Sequence, residues 1–455
     1  MKYKLSITLI LIFFINSSLS FASINQVINK NQLFSTSTVA VSVKNVQNEN
    51  TLYKINDTKL LHPASTLKLL TMASIIDVLK DNYEFKTQIF VDKDNNWYIK
   101  LSGDPAFSTD DLNGLIRQAK KSSAKKPNKI YIDTSNALDD KTSQPGWMQD
   151  DNTSFYTPYI SSYNIDENCV KVNFITNSNS TKPQITSNDN YKINFINNLK
   201  TGSENNFNIY RSNLYSDDFV IIEGAIKNNQ TIKIPVLNPK RNFIAKLDGL
   251  LKKENISYYN TYETKKTPKS VKTVACHKTQ VSTLYPLVLK NSNNLVAETL
   301  FKTSGKERLK SDFGTFEDGK TTFYDFYINK LNLNPNYRCL KLEDASGLSR
   351  NNLITADFIT DALIQLEKNN DLNFRNYLAK GNQGTLTNRF VDIRDNIWAK
   401  TGSLAGISAL SGYILDADNN LIAFSIIIQN YTEDDKEAKK LEDEIVYSIY
   451  RGEIK

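Results

Sequence analysis

The chain has 455 residues, of which 40% are hydrophobic and 23% charged, and a formal charge of +7. That length accommodates two or three domains with a sizeable core, and the composition is ordinarily globular. The charge is modest, and the one basic run, Ala119 to Lys129, has no interleaved aromatics; it reads as a solvated helix end, so nucleic-acid binding is not expected. With only His62 and His277, and with Cys169, Cys276 and Cys339 as the three cysteines, there is little material for a histidine metal centre or a Ser-His-Asp triad. Nor is a disulfide framework or a zinc site indicated; the thiols either stay reduced or two of them pair.

Residues 1–22 read as a secretory signal. Lys2 and Lys4 form a basic start, Ile7 to Ile15 a short apolar run, and Ser20-Phe21-Ala22 a small-x-small cleavage site. A retained anchor fits less well, because a bilayer span needs about 20 apolar residues. Export is therefore expected. Strand-like alternation at Val39 to Val43, a polar turn, and a second strand near Leu52 to Ile55 form a hairpin. It delivers the chain to His62-Pro63-Ala64-Ser65-Thr66-Leu67-Lys68. Pro63 suits a first helical turn, and the apolar residues from Leu67 to Leu79 predict a buried helix. His62 is read as a helix-entry residue.

After Lys80 the pattern changes. Strands are predicted at Phe85 to Val91, Trp97 to Leu101 and Lys129 to Asp133, with an amphipathic helix from Asp110 between the last two. Residues 144–164 form an aromatic-rich loop. Between 166 and 236, apolar stretches alternating with Asn-rich turns predict an antiparallel sheet, and a helix follows from Asn242 to Leu251. So long a segment between helices predicts inserted subdomains, since structureless loops beyond roughly 15 residues are uncommon. The expected division is a leader at 1–22, catalytic parts at 23–82 and 268–455, and inserted subdomains at 83–267. From Val281 helices resume, with Ser292 and Asn294 at the join of two of them. A tight turn at 343–350, a helix from Ala356 to Leu366, strands at 411–414 and 421–428, and a closing helix from Glu433 to Tyr450 complete the pattern.

Ser65 and Lys68 stand at i and i+3 on one helix face, within reach of each other. A serine hydroxyl is a weak nucleophile until a base takes its proton, and a desolvated lysine can be that base. The pattern alone is weak evidence, because Ser122/Lys125 and Ser123/Lys126 repeat it; an ordinary buried helix is the bland alternative. Ser-x-Asn at Ser292 and Lys-Thr-Gly at Lys400 complete the motif set of penicillin-binding proteins and serine β-lactamases. A second Lys-Thr-Gly-Ser, at Lys200, lies in a polar stretch, whereas Lys400 adjoins an apolar strand that could support it rigidly.

With these motifs the chain resembles a penicillin-binding protein of the D-alanyl-D-alanine carboxypeptidase/endopeptidase family, with a large insertion between its first two motifs. The stretches that carry the resemblance are PASTLK at 63–68, SGDPAF at 102–107, PGW at 145–147, SNNLVAETL at 292–300, DASGLSRNN at 344–352 and KTGSLAGISALSGY at 400–413. It implies an α/β (α+β) fold of the penicillin-binding/β-lactamase type, an antiparallel sheet flanked by helices with inserted subdomains. It implies Ser65 as nucleophile, Lys68 as general base and Ser292 as proton relay. Asn294 would hold Lys68 and the substrate amide. Lys400 would attract the terminal carboxylate and help keep Lys68 neutral, Thr401 would bond that carboxylate, and the Ser65 and Ser403 N–H groups would form the oxyanion hole. No metal or organic cofactor is implied. The partners are peptidoglycan stem peptides, both D-Ala-D-Ala ends and cross-links, with β-lactams as inhibitors. The location is the periplasm or cell wall, with peripheral association with the envelope. The loop from Gly146 to Phe155 either lines the cleft or packs between domains. Competing readings are a β-lactamase or esterase on the same scaffold, and a non-catalytic peptidoglycan- or penicillin-binding module.

Overall fold

The computed structural model describes residues 23–122, 126–139, 143–177, 180–211, 219–336 and 338–454; the expected leader at 1–22 lies outside the described residues. Helix α1 (Ile24–Lys30) precedes the hairpin β1 (Thr38–Asn45) and β2 (Thr51–Ile55). A 3-10 turn at Ala64–Leu67 then runs directly into α2 (Lys68–Leu79). Next come β3 (Glu84–Val91), β4 (Trp97–Lys100), α3 (Thr109–Ser122) and β5 (Lys129–Asp133). The six strands that follow are β6 (Cys169–Asn177), β7 (Ser180–Thr186), β8 (Asn194–Thr201), β9 (Asn206–Arg211), β10 (Phe219–Ile226) and β11 (Gln230–Pro235). Helix α4 (Pro239–Lys253) leads to β12 (Tyr259–Thr264) and β13 (Lys272–Gln280). The last part holds α5 (Tyr285–Leu289), α6 (Asn294–Leu309), α7 (Phe316–Asp325), the short pair β14 (Leu340–Lys341) and β15 (Leu353–Ile354), and α8 (Ala356–Lys368). It closes with β16 (Ala379–Lys380), β17 (Ile397–Leu404), β18 (Ile407–Leu415), β19 (Leu421–Gln429) and α9 (Asp435–Tyr450).

The six-stranded sheet has the order β16-β17-β18-β19-β1-β2, with every neighbouring pair antiparallel. Its alternation feeds two cores. Ile422, Phe424, Ile426 and Ile428 of β19 face one core with α1 and α9, while Ala423 and Ile427 face the other with α2, α5, α6, α7 and α8. Every residue of β19 is buried, as a central strand covered by helices on both faces requires. A row of small polar side chains crosses the second face in register. Ser411 bonds Ser425 at 2.9 Å, and Ser42, paired with Ser425, bonds Thr360 of α8 at 2.8 Å. These mutual bonds satisfy hydroxyls buried against the α2 side.

The segment between α2 and α5 carries its own cores. A five-stranded mixed sheet, β12-β5-β4-β3-β13, packs under α3 and α4, and the β4–α3–β5 unit is parallel as its spacing predicts. The segment 166–236 departs from expectation. It forms two three-stranded sheets instead of one, and β8 and β10 run parallel. Strand period reveals which residues face the core but not the direction of the partner strand. The expected boundary at 267 falls inside the connection from β12 to β13. Because β13 pairs with β3 over Lys272 to Gln280, the chain leaves this sheet only at Val281.

Candidate active site

Ser65 lies in the 3-10 turn that opens α2, and Ala64 before it takes a left-handed φ of 45°. Lys68 is the first residue of α2 and is fully buried. Its Nζ lies 2.9 Å from Ser65 Oγ, 2.7 Å from Asn294 Oδ1 and 2.6 Å from the Ser346 carbonyl oxygen. The last two atoms can only accept. A neutral amine has two N–H bonds and one lone pair, so donating to both oxygens leaves the lone pair for the Ser65 proton.

Ser292 breaks the path between α5 and α6 with φ 63°. Asn293 then caps α6, its side chain accepting the Val296 N–H at 3.0 Å. The break turns Ser292 Oγ toward Lys400, whose Nζ donates to it at 2.9 Å and to the Thr401 carbonyl at 2.8 Å. Asn294 donates its Nδ2 to the Tyr156 carbonyl of the inserted loop at 2.8 Å. Thr401 Oγ1 bonds Thr385 Oγ1 at 2.7 Å, and Ser403 is exposed on β17. The two residues of β16 pair only with Trp398 and Ala399. The Thr401–Leu404 edge of β17 is therefore open among the described residues.

Two glycines set the spacing. A Cβ on Gly402 would stand 2.8 Å from the Pro63 carbonyl oxygen and 3.0 Å from the Ser65 nitrogen, so a bare backbone lets β17 approach the nucleophile. A Cβ on Gly347 would fall 1.9 Å from the Ala64 carbonyl oxygen, and its φ is 79°. The other copy of Lys-Thr-Gly-Ser lies elsewhere: Lys200 is an exposed residue of β8, whereas Lys400 is fully buried. His62 turns away from Ser65, its Nδ1 lying 3.1 Å from the Asn352 carbonyl oxygen. Cys169, Cys276 and Cys339 are free thiols.

Burial pushes the Lys68 pKa down to about 7, against the pull of Asp344 and Glu298 in the other direction. Lys400 is held well below the ordinary lysine range, first by burial and then by the charge of Lys68. Desolvation is the leading effect on both lysines, and the repulsion between their charges is shared by the pair.

Three contributors have no place in the short motifs. Asp344 is fully buried and accepts from Gly347 N–H, Ser349 N–H, Asn352 Nδ2, Ser346 Oγ and Trp147 Nε1, at 2.7 to 3.2 Å. Glu298 lies one turn beyond Asn294 on α6 and reaches the same turn. Asp344 and Glu298 both fall inside stretches that carry the family resemblance, so their presence was visible and their partners were not. Thr385 sits in a Gly-rich loop with no motif to mark it.

A helix-flanked antiparallel sheet that brings a serine beside a buried lysine, with a second serine–lysine pair at its edge, defines a serine hydrolase of the penicillin-binding type. The chain belongs to the D-Ala-D-Ala carboxypeptidase 3 (S13) family, which it matches over residues 21–449. It is 28% identical over 449 residues to a penicillin-sensitive carboxypeptidase A of Dictyostelium discoideum, covering 87% of this chain and 83% of the relative. It is 24% identical over 446 residues to the D-alanyl-D-alanine carboxypeptidase DacB of Haemophilus influenzae, covering 92% and 91%. The crystal structure of penicillin binding protein 4 from Haemophilus influenzae superposes with a TM-score of 0.83 at 22% identity, covering 94% of this chain and 99% of that one. The last comparison establishes the fold. The family match makes the protein a serine-type D-Ala-D-Ala carboxypeptidase.

Proposed function

We propose that the protein removes the terminal D-alanine of peptidoglycan stem peptides through an acyl-enzyme on Ser65. In the same reading it cuts D-Ala cross-links as a DD-endopeptidase and is acylated by penicillins. The observation that carries the reading is Lys68 buried against Ser65, with both its N–H bonds used by Asn294 and Ser346. Ser65 Oγ attacks the carbonyl carbon of the D-Ala-D-Ala bond while its proton passes to the Lys68 lone pair. The carbonyl π pair moves onto oxygen, where the N–H groups of Ser65 and Ser403 stabilise it, a contribution of about 3 kcal/mol for one such donor. When the C–N bond breaks, the leaving amine takes a proton delivered through Ser292, which Lys400 orients. Thr401 and Lys400 bind the terminal carboxylate, and Asn294 the substrate amide. Water then adds to the ester, Lys68 again taking the proton, and the Ser65 Oγ–C bond breaks as Lys68 returns that proton to Oγ.

The penicillin-sensitive name of the Dictyostelium relative supports the inhibitor class. The apolar leader supports export to the periplasm or cell wall, with peripheral association with the envelope. No helix among the described residues is long and apolar enough to cross a membrane. The loop from Gly146 to Phe155 lines the cleft from the insertion side; Asp150→Ala then slows hydrolysis of muropeptides but not of a small D-Ala-D-Ala mimic, and equal effects on both would remove the loop from the cleft.

The test is intact mass after brief incubation with penicillin, beside D-alanine release from a D-Ala-D-Ala peptide. One adduct and D-alanine release in the wild type, both absent in Ser65→Ala, are expected. An adduct without release would indicate a binding module. No adduct would mean that Ser65 is not activated.

A further inference from the structure

Glu298 is a buried acid that the mechanism above leaves unused. It is fully buried on α6, and its Oε1 accepts the N–H of Ala345 at 2.9 Å and of Ser346 at 2.8 Å. The carbonyl of that same Ser346 accepts from Lys68 Nζ at 2.6 Å. Helix α6 therefore grips Lys68 twice, directly through Asn294 and indirectly through Glu298 and the peptide of Ser346. We propose that Glu298 is a positioning residue for Lys68, acting through the Ser346 peptide, and that it does so as an uncharged carboxylic acid.

The surroundings account for both parts. Glu298 Oε2 has no hydrogen-bond partner among the described residues, so ionisation would leave charge unpaired in a dry site. The ionisable groups around it are Asp344 on the turn and Lys68 on α2, with Lys400 on β17 acting through Lys68. Asp344 accepts five hydrogen bonds, three of them from the backbone N–H of Gly347 and Ser349 and the Asn352 amide at 2.7 Å. A second carboxylate beside it is disfavoured. Burial and Asp344 accordingly push the Glu298 pKa up to about 8. The neutral form matters to the base. An ionised Glu298 would stabilise the protonated amine of Lys68, and one proton would simply be exchanged between the two groups. Keeping that proton on Glu298 leaves the lone pair on Lys68.

This rests on Ser65 being acylated with Lys68 as base, and the experiment separates the two ideas. The rate of penicillin acylation is measured against pH for wild type, Glu298→Gln and Glu298→Asp, with thermal melting as the folding check. Gln keeps an acceptor for the Ala345 and Ser346 N–H groups but cannot ionise. Its acid limb and its rate are expected to coincide with those of the wild type, because the acid it replaces is already uncharged there. Asp keeps the acid but retreats by one methylene, so the Ser346 peptide loses its anchor. Its acylation is expected to slow by roughly 10- to 100-fold. A Glu298→Gln limb that moves to lower pH would overturn the neutral-acid role, since only a charged Glu298 in the wild type could have held a proton on Lys68. A folded Glu298→Asp with wild-type rate would overturn the positioning role, and that arm stands even if the Gln variant does not fold. Absence of acylation in the wild type itself would instead refute the acyl-enzyme reading.

Discussion

At Lys68 the local chemistry turns on valence and desolvation. Two oxygens that can only accept consume the N–H bonds of the amine, and complete burial removes the water that would stabilise its ammonium form. The pKa of about 7 lies below the ordinary value of 10.5, so the free base prevails above neutrality. Acylation of Ser65 by penicillin is expected to fall as pH drops through about 7, and stopped-flow measurement of adduct formation checks this. Lys68→Arg keeps a cation but has no usable lone pair near neutral pH, and its acylation rate is expected to drop by about 10²–10⁴-fold. The Ser65–Lys68 pair was legible because three residues of helix place two side chains on one face. Glu298 and Asp344 were visible as letters, yet their work is with backbone N–H groups of a distant turn, and sequence spacing does not report such partners.

Among the elements, the turn at 344–347 and the 3-10 turn at Ala64–Leu67 are fitted backbone to backbone. Gly347 has a positive φ, and a Cβ there would overlap the Ala64 carbonyl oxygen. Gly347→Ala should therefore displace the turn that holds Lys68. Expected are a stability loss of about 1–3 kcal/mol in urea unfolding and a slower acylation than that loss alone explains. The buried strands β18 and β19 and helices α2, α8 and α9 were readable because long periodic or apolar runs identify their own type. The parallel pairing of β8 with β10 was not, since a strand carries no mark of its neighbour's direction. The full burial of Lys400 was likewise unmarked: charge sign is written in the sequence, whereas depth of burial belongs to the assembled elements.

Across the molecule, the insertion touches the catalytic machinery at named points instead of hanging beside it. Trp147 Nε1 donates to Asp344 at 2.9 Å, the Tyr156 carbonyl accepts from Asn294, and buried Lys302 of α6 pairs with Asp139 at 2.7 Å. Trp147→Phe removes one donor from a buried carboxylate, an effect of roughly 1.5–3 kcal/mol. The expected readouts are a lower melting temperature and slower acylation, and a wild-type melting curve would show that Asp344 does not depend on the insertion. The long gap between Lys68 and Ser292 was legible in the sequence. The contacts of that segment were not, because the loop at 144–164 has no periodicity to orient it.

The strand order carries a consequence for the timing of biogenesis. β1 is seated between β2 and β19, with Val41 opposite Ile426, so a strand made near the start of synthesis finds its central neighbour only when nearly all of the polypeptide has emerged. Contacts so distant along the chain form slowly. Ser65, in the 3-10 turn before α2, is made long before β17 arrives to flank it. A nascent or proteolytically shortened chain that lacks β17 to β19 thus possesses the reactive serine but neither Lys400 nor its supporting sheet. The sheet that supports Lys400 is therefore completed only when the last strands are delivered.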